Sequence, residues 1–324
     1  MVYIPFPRTD LHHHPDFAAW RAQQPKSEGD WKMLRGFLAE HSRIRQGIHM
    51  IPKCWYSELP QGDDYALDVE HFRPKNQARP LSPKQIAKLE KRAGVGFRQN
   101  DHMGANYSWL EFDFRNYRLT TATPNRGGAK HYYFPVVSGT SRLSNGTFPW
   151  QQNEYSFFLD PADPYDANLL MVTPNGKIEP RTPMTLLTDD DFQNLPHSWH
   201  SDGFNYIRAW MTIQLYRLEK KNLEQGRKEV YDQANELMER LILCLKFTNS
   251  SDGKTLFNYF IEDITKAILP SAPFALAARC ALEAYIPPSN MDDNSRETIA
   301  KLPRQILDRV LSETNACTCS WENS

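Results

Sequence analysis

A chain of 324 residues, 40% hydrophobic, 24% charged and 12% aromatic, has ordinary globular composition, which excludes disorder along its whole length and allows a core built without disulfides or metal. Five cysteines, an odd number, at positions 54, 244, 280, 317 and 319 read as free thiols of a reducing compartment, and the start of the chain lacks the basic end and apolar stretch of a signal peptide. With no apolar run of membrane-spanning length, the expectation is a soluble cytoplasmic protein with no membrane partner. The net charge of −1 hides an asymmetry: residues 1–140 carry 20 Lys and Arg against 14 Asp and Glu, plus eight of the ten His, whereas the rest carry 18 against 25. A polyanion meeting the N-terminal part fits that imbalance, as do uneven solvated surfaces.

Four regions follow in chain order. Within 1–49, Phe17, Trp20, Trp31, Leu34, Phe37, Leu38, Ile44 and Ile48 recur at spacings of three and four, which predicts one or two amphipathic helices broken near Pro25. Residues 50–137 turn to short aromatic segments and turns, with an insertion at about 78–106. There Ser82 is placed to cap a helix from Pro83 to about Arg92, and 95–105 reads as a mobile loop. Residues 138–201 are rich in Pro, Asp, Asn and Ser and predict irregular packing with a few short strands. From 202 to 324 the pattern is helical, with one stripe at Phe204, Ile207, Met211, Leu215 and Leu218 and another at Val230, Ala234, Leu237, Leu241 and Leu245. The tail after about Glu313 reads as loose.

The chemistry gathers in the second region. Glu70 beside His71 offers a hard oxygen ligand for a divalent cation next to an imidazole able to take a proton from water. Asn116 and Asn125 can orient that imidazole or complete a metal shell without added charge. Arg73, Lys75, Arg115, Arg118, Arg126 and Lys130 supply cations for a phosphate backbone. Asp68 rivals Glu70, because a strand places residues two apart on one face.

Other clusters have plainer readings. His12–His13–His14 is an exposed near-terminal run, His197 and His200 belong to a polar loop, Cys317 and Cys319 are free thiols, and Asp160, Asp163 and Asp166 suit turns or caps better than a cation loop. No Walker A or dinucleotide-binding glycine pattern occurs, so any ATP dependence rests with a partner.

The order EHFRPK, WLEFDFRNYRL and then a distant Asn-x4-Lys before Phe134–Pro135 resembles the HNH nuclease family, in particular the retron-associated and Septu-type antiphage HNH endonucleases. The likeness continues through FFLDPADP and NYIRAWMTIQLYRLEKKNLEQGR, spanning about Lys53 to Arg227. It implies an α+β protein: a ββα-metal nuclease module between an N-terminal helical segment and a largely helical C-terminal region. It further implies His71 as general base, Glu70 and Asn125 on one Mg²⁺ or Mn²⁺, Asn116 fixing the loop and the His71 ring, and Lys130 or His131 on phosphate or as a substitute ligand. Relatives carry a structural zinc on two Cys-x-x-Cys pairs; here those places read Cys54-Trp-Tyr-Ser57 and Thr121-Ala-Thr-Pro124, so no structural zinc is expected. Packing by Trp55, Tyr56, Phe72, Trp109, Leu110, Phe112 and Phe114 is the expected replacement, and Gly127–Gly128 predicts a late or short third element. The implied activity is hydrolysis of a nucleic-acid phosphodiester, DNA before RNA. The implied setting is a defence system whose ATPase subunit, or a retron reverse transcriptase with its noncoding RNA, restrains the nuclease and docks on the acidic C-terminal half. Two alternatives stand beside it: a degenerate module that binds but does not cut, and an RNA- or tRNA-directed nuclease.

Overall fold

The computed structural model describes residues 1, 15–22, 33–36, 38–39, 52–61, 67–75, 78–79, 81–93, 107–121, 129–130, 132–137, 154–195, 197–245, 247, 250–269, 272–289, 291 and 293–322. Its described elements are helices with two small antiparallel hairpins, an α+β chain. The helices are α1 (Pro15–Ala22), α2 (Pro83–Ala93), α3 (Pro164–Ala167), α4 (Asp189–Gln193), α5 (Asp202–Leu215), α6 (Lys221–Leu245), α7 (Ser251–Ile268), α8 (Ala275–Glu283) and α9 (Asp293–Glu322). The strands are β1 (Leu67–His71), β2 (Tyr117–Thr121), β3 (Leu170–Val172) and β4 (Ile178–Pro180).

Local chemistry accounts for several of these boundaries. Ser82 Oγ accepts from the Gln85 amide at 3.3 Å while Gln85 Oε1 accepts from the Ser82 amide at 2.8 Å, a reciprocal cap that starts α2 where the sequence places it. Thr188 and Asp191 close the same kind of box on α4. Asp163 accepts from the Tyr165 and Asp166 amides at the start of α3, so this aspartate serves as a cap. The stretch after Glu313, expected to be loose, instead continues α9 to Glu322; no glycine or proline follows Pro303 to end it.

The long-range arrangement comes from packing. α6 carries α7 and α8 along its length, and α9 closes over both. β3 lies on α8, and β4 lies on α5. The β1–β2 hairpin shares its buried core with these helices: Leu67, Phe72, Tyr117 and Leu119 belong to the same apolar cluster as Tyr216, Leu218, Met238 and Leu276, with Trp20 of α1 added from the N-terminal side. Tyr56 stacks on Tyr216 with ring centroids 3.8 Å apart, and Trp20 meets Tyr117 edge-on at 6.1 Å. The regions separated in the sequence therefore pack around a common interior, and the hairpin is held between helices from both ends of the chain.

A second apolar cluster joins Leu81, Val137, Phe157, Trp199, Phe204, Ile207 and Met211. Of the first helical stripe, Phe204, Ile207 and Met211 sit there, while Leu218 turns into the main core. Among the described residues, no helix is long and apolar enough to cross a membrane. The expected break near Pro25, the His12–His14 run and the 95–105 loop lie outside the described residues, as do the side chains of Cys317 and Cys319.

Candidate active site on the β1–β2 hairpin

β1 pairs with β2 from Leu67↔Thr121 through Glu70↔Arg118 to His71↔Tyr117, so the Glu-His pair and the segment after Asn116 meet although they are more than forty positions apart in sequence. Phe72 N donates to Asn116 O at 2.8 Å and carries the pairing one residue past the strand. The Asn116 carboxamide then closes a two-way clamp on Arg73: Oδ1 accepts from the Arg73 amide and Nδ2 donates to the Arg73 carbonyl, both at 2.8 Å. A third contact runs from Nδ2 to Leu110 O at 3.4 Å. Asn116 is 3% exposed, so both ends of its amide must be satisfied inside the protein, and the loop backbone does so.

Asn116 thus holds the backbone of the loop, and the described contacts of the His71 ring are to other residues. Nε2 lies 3.0 Å from the Glu111 carbonyl, which also accepts from the Tyr117 hydroxyl at 2.6 Å. The Tyr117 ring packs edge-on against the imidazole with centroids 5.1 Å apart. A carbonyl can only accept, so this contact places the ring proton on Nε2 and makes Nδ1 the lone-pair nitrogen. Burial pushes the His71 pKa down to about 3, with Lys75 and Lys130 adding to the shift and the Glu111 carbonyl opposing it. The imidazole is therefore neutral at pH 7, and held this far below its ordinary value it is a weak base. Sequence reasoning missed Glu111 and Tyr117. Tyr117 had a usable signal, since it follows Asn116 and lies opposite His71 once the hairpin is drawn, whereas a backbone carbonyl leaves no trace in side-chain pattern.

Glu70 points the other way. It is 1% exposed and its carboxylate is ion-paired with the Lys130 ammonium, while Tyr216 OH donates to Oε1 at 3.3 Å. Lys130 also donates to the carbonyls of His71 at 2.6 Å and Phe72 at 3.0 Å. Desolvation raises the Glu70 pKa and lowers that of Lys130, and the attraction between them opposes both shifts. Glu70 Oε2 has no hydrogen-bond partner among the described residues. Asp68 shares the strand but not the burial: its side chain is 34% exposed and stands 4.0 Å from Arg35.

Of the six cations read from sequence as a phosphate-binding set, the five that are described each have a carboxylate partner. Lys130 pairs with Glu70, Arg118 with Asp160, Arg115 with Asp113, Arg73 with Glu154 at 2.7 Å and Lys75 with Glu111 at 3.3 Å. For Lys130 and Arg118 the expectation of a solvent-facing phosphate contact is corrected, since Lys130 is 0% and Arg118 5% exposed. Arg118 further donates to the Arg115 and Tyr117 carbonyls and lies over the Phe72 ring. A charge withdrawn that far from water persists only where anions and carbonyls surround it, which is what these two residues have. Lys75 and Arg115, in the segment that joins β1 to β2, keep partial exposure. Asn125, Arg126 and His131 lie outside the described residues.

Cys54 and Ser57, which stand where the resemblance implies a Cys-x-x-Cys pair, are brought against β2. Cys54 Sγ is 3.5 Å from Thr120 Oγ1 and accepts from the Ser57 amide at 3.4 Å, while Trp55 N donates to Leu119 O at 2.9 Å. Trp55, Tyr56, Phe72, Leu110 and Phe114 are buried around this junction, and Trp109 and Phe112 pack against it. His197 and His200 lie in a one-turn helix where His200 packs on Tyr165. Asp160 and Asp166 are taken up by Arg118 and Arg208. Among the described residues, no group of three or more His, Cys, Asp or Glu is placed to hold a metal ion. The chain has no significant match among family models, curated proteins or solved structures.

Proposed function

We propose that this chain is a metal-dependent endonuclease of the HNH class that hydrolyses phosphodiester bonds, in DNA before RNA, with the β1–β2 hairpin as its catalytic unit. The observation that carries the reading is the geometry of the His71 imidazole: its proton is committed to the Glu111 carbonyl through Nε2, and the ring is seated at the end of a hairpin whose following loop is clamped by Asn116. A pure binding module has no physical need to fix an imidazole tautomer in this way.

For the implied Mg²⁺ or Mn²⁺ the described residues offer one hard donor, Glu70 Oε2, a buried carboxylate oxygen without a described hydrogen-bond partner; it faces away from the His71 ring, and its carboxylate already pairs with Lys130, so the fit to an ion serving His71 is partial. Glu70, with Asn125 as its companion, would hold the ion, which would polarise the phosphate and stabilise the leaving oxygen. His71 takes the proton of the attacking water at Nδ1. Tyr117 and the Glu111 carbonyl keep the ring from turning. Asn116 sets the backbone of Phe72–Arg73 relative to the strand end, and Lys75 and Arg115, part-exposed in the segment joining the strands, are the described cations offered there to a phosphate backbone. The resemblance adds an antiphage setting, with an ATPase subunit or a retron reverse transcriptase and its noncoding RNA as partners on the acidic C-terminal half.

A second reading, a module that binds nucleic acid or a partner without cutting, is favoured by the Lys130 ammonium on the Glu70 carboxylate, which opposes a second cation there. One assay separates the two. Plasmid, single-stranded DNA and tRNA are incubated with the purified chain and Mg²⁺ or Mn²⁺, beside His71→Ala and an EDTA control. Metal-dependent cleavage lost in His71→Ala is the expected result, and the substrate cut assigns DNA or RNA. If the chain leaves all three intact, both alone and with its ATPase partner, and binds no Mn²⁺ in a Glu70-dependent manner, the nuclease reading fails.

A further inference from the structure

The described cations of the hairpin reach a phosphate only by leaving a carboxylate, whereas α2 presents cations under no such constraint. Its sequence, PKQIAKLEKRA, holds three lysines and an arginine against one acid, Glu90. Lys84, Lys88 and Lys91 stand at i, i+4 and i+7, which sets them on one face of the helix, and all three are exposed. Lys88 donates to the Gln214 side-chain carbonyl at 2.5 Å and lies 5.7 Å from the Trp210 ring centroid, while Lys84 and Lys91 have no carboxylate partner among the described residues. The opposite side of α2 anchors it: Ile86, with Leu81 just before the helix, packs into the apolar cluster of Val137, Phe204, Ile207 and Met211.

Arg79 extends this surface towards the hairpin. It is exposed, with its guanidinium 5.8 Å from the Tyr132 ring centroid, and its backbone donates to the Tyr132 carbonyl at 2.8 Å and accepts from the Phe134 amide at 3.4 Å. In the same short segment Lys130 donates to the His71 carbonyl at 2.6 Å, so the basic helix and the His71 strand end are tied to one piece of backbone. The spacing suits a polyanion with a regular repeat: the seven residues from Lys84 to Lys91 cover about 10 Å at about 1.5 Å per residue, close to three nucleotide steps of about 3.4 Å along one strand. An exposed cation without a carboxylate gives up only condensed counterions and water on meeting a phosphate, and the release of those counterions drives binding.

We propose that the Lys84–Lys88–Lys91 face of α2, with Arg79 at its end, is the surface that holds the sugar-phosphate backbone of a nucleic acid, without sequence preference. The inference rests on the nucleic-acid part of the reading above and not on cleavage, since a module that binds without cutting has the same use for this face.

The test is fluorescence anisotropy of a labelled DNA duplex, a single strand and a tRNA with the full chain in EDTA, repeated over a series of salt concentrations. The wild type is set beside Lys84→Gln/Lys91→Gln and, as a control for lost charge, Lys254→Gln/Lys266→Gln on α7. Glutamine keeps the helix propensity of lysine, and the thermal midpoint of each variant checks that the fold is unchanged. The α2 variant is expected to bind about tenfold or more weakly at about 0.1 M salt, and the slope of log affinity against log salt to fall by about 2, one phosphate contact for each lysine; the α7 variant is expected to match the wild type. The proposal is overturned by unchanged affinity and slope in the α2 variant, by an equal loss in the α7 variant, by a wild type that binds none of the three nucleic acids, or by phosphatidylserine vesicles bound as tightly as DNA. Cleavage in Mg²⁺ is scored separately. Cutting that survives with the α2 variant binding normally removes this surface and leaves the nuclease, whereas α2-dependent binding with no cutting by the wild type leaves the surface and removes the nuclease.

Discussion

Replacing Lys130 by methionine tests the arrangement on which the hairpin depends. The ammonium is buried against Glu70 and two backbone carbonyls, so Lys130→Met removes the one cation in direct contact with a carboxylate that is 1% exposed, leaving it only the Tyr216 hydroxyl. Breaking a buried pair from one side costs about 3–5 kcal/mol, because the remaining charge keeps its desolvation penalty. Glu70 has one escape, to take up a proton, and that gives the loss a pH signature. With Lys130 gone the Glu70 pKa rises further above the ordinary carboxylate value, so the native variant binds a proton at pH values where the unfolded chain does not. The deficit relative to wild type therefore widens as pH rises through and above the carboxylate range, and narrows towards pH 4. Urea unfolding followed by tryptophan fluorescence at several pH values measures it, and Glu70→Gln/Lys130→Met is expected to lose less than the sum of the two single variants. Mn²⁺ should stabilise Lys130→Met more than wild type, since the cation competing for Glu70 is absent. A loss under about 1 kcal/mol, flat with pH, would refute the claim that this pair organises the hairpin.

Three further outcomes are expected. Asn116→Ala should cost about 1–3 kcal/mol, because the Arg73 amide and carbonyl both lose a partner, and should lower metal-dependent cleavage with His71 intact; unchanged thermal unfolding and activity would remove Asn116 from its clamping role. His71, at about 3 in the fold against an ordinary 6.5, makes the unfolded chain bind more protons between those values, so its contribution to stability is complete above pH 6.5 and is lost as pH falls towards 3. The slope of stability against pH in that window should be shallower in His71→Gln, and an identical slope would mean the imidazole is not desolvated. Gly176, at φ +79° in the β3–β4 turn, would place a Cβ 2.0 Å from the Glu224 carbonyl, so Gly176→Ala should cost about 2–5 kcal/mol in a thermal melt; a neutral effect would show that the turn does not rest against α6 as described.

Much of the molecule was legible one element at a time. The Ser82 cap, the helix from Pro83, the stripe of α5 and the cap at Asp163 follow from side-chain type and spacing, because such features are settled within a turn or two of backbone; on α6 the buried face is turned from the expected stripe, with Ala234 and Leu241 buried beside Tyr231, Met238 and Ile242 and with Val230, Leu237 and Leu245 at its edge. The sequence also singled out the residues of the hairpin: Glu70–His71 and the segment after Asn116 are distant in the chain and pair as β1–β2, with Asn116 just before β2. What it could not assign was the partner of each charge. Arg73, Lys75, Arg115, Arg118 and Lys130 read as a basic set for phosphate, yet each meets a carboxylate, and for Arg73 and Arg118 that carboxylate lies on a segment, around Glu154 and Asp160, with no motif to announce it. The His71 tautomer rests on a backbone carbonyl of Glu111, which any residue type would supply. Sequence determines which residues can carry charge or donate a proton; only the tertiary structure decides which are withdrawn from water, and that desolvation forces Lys130 and Arg118 into pairs within the protein.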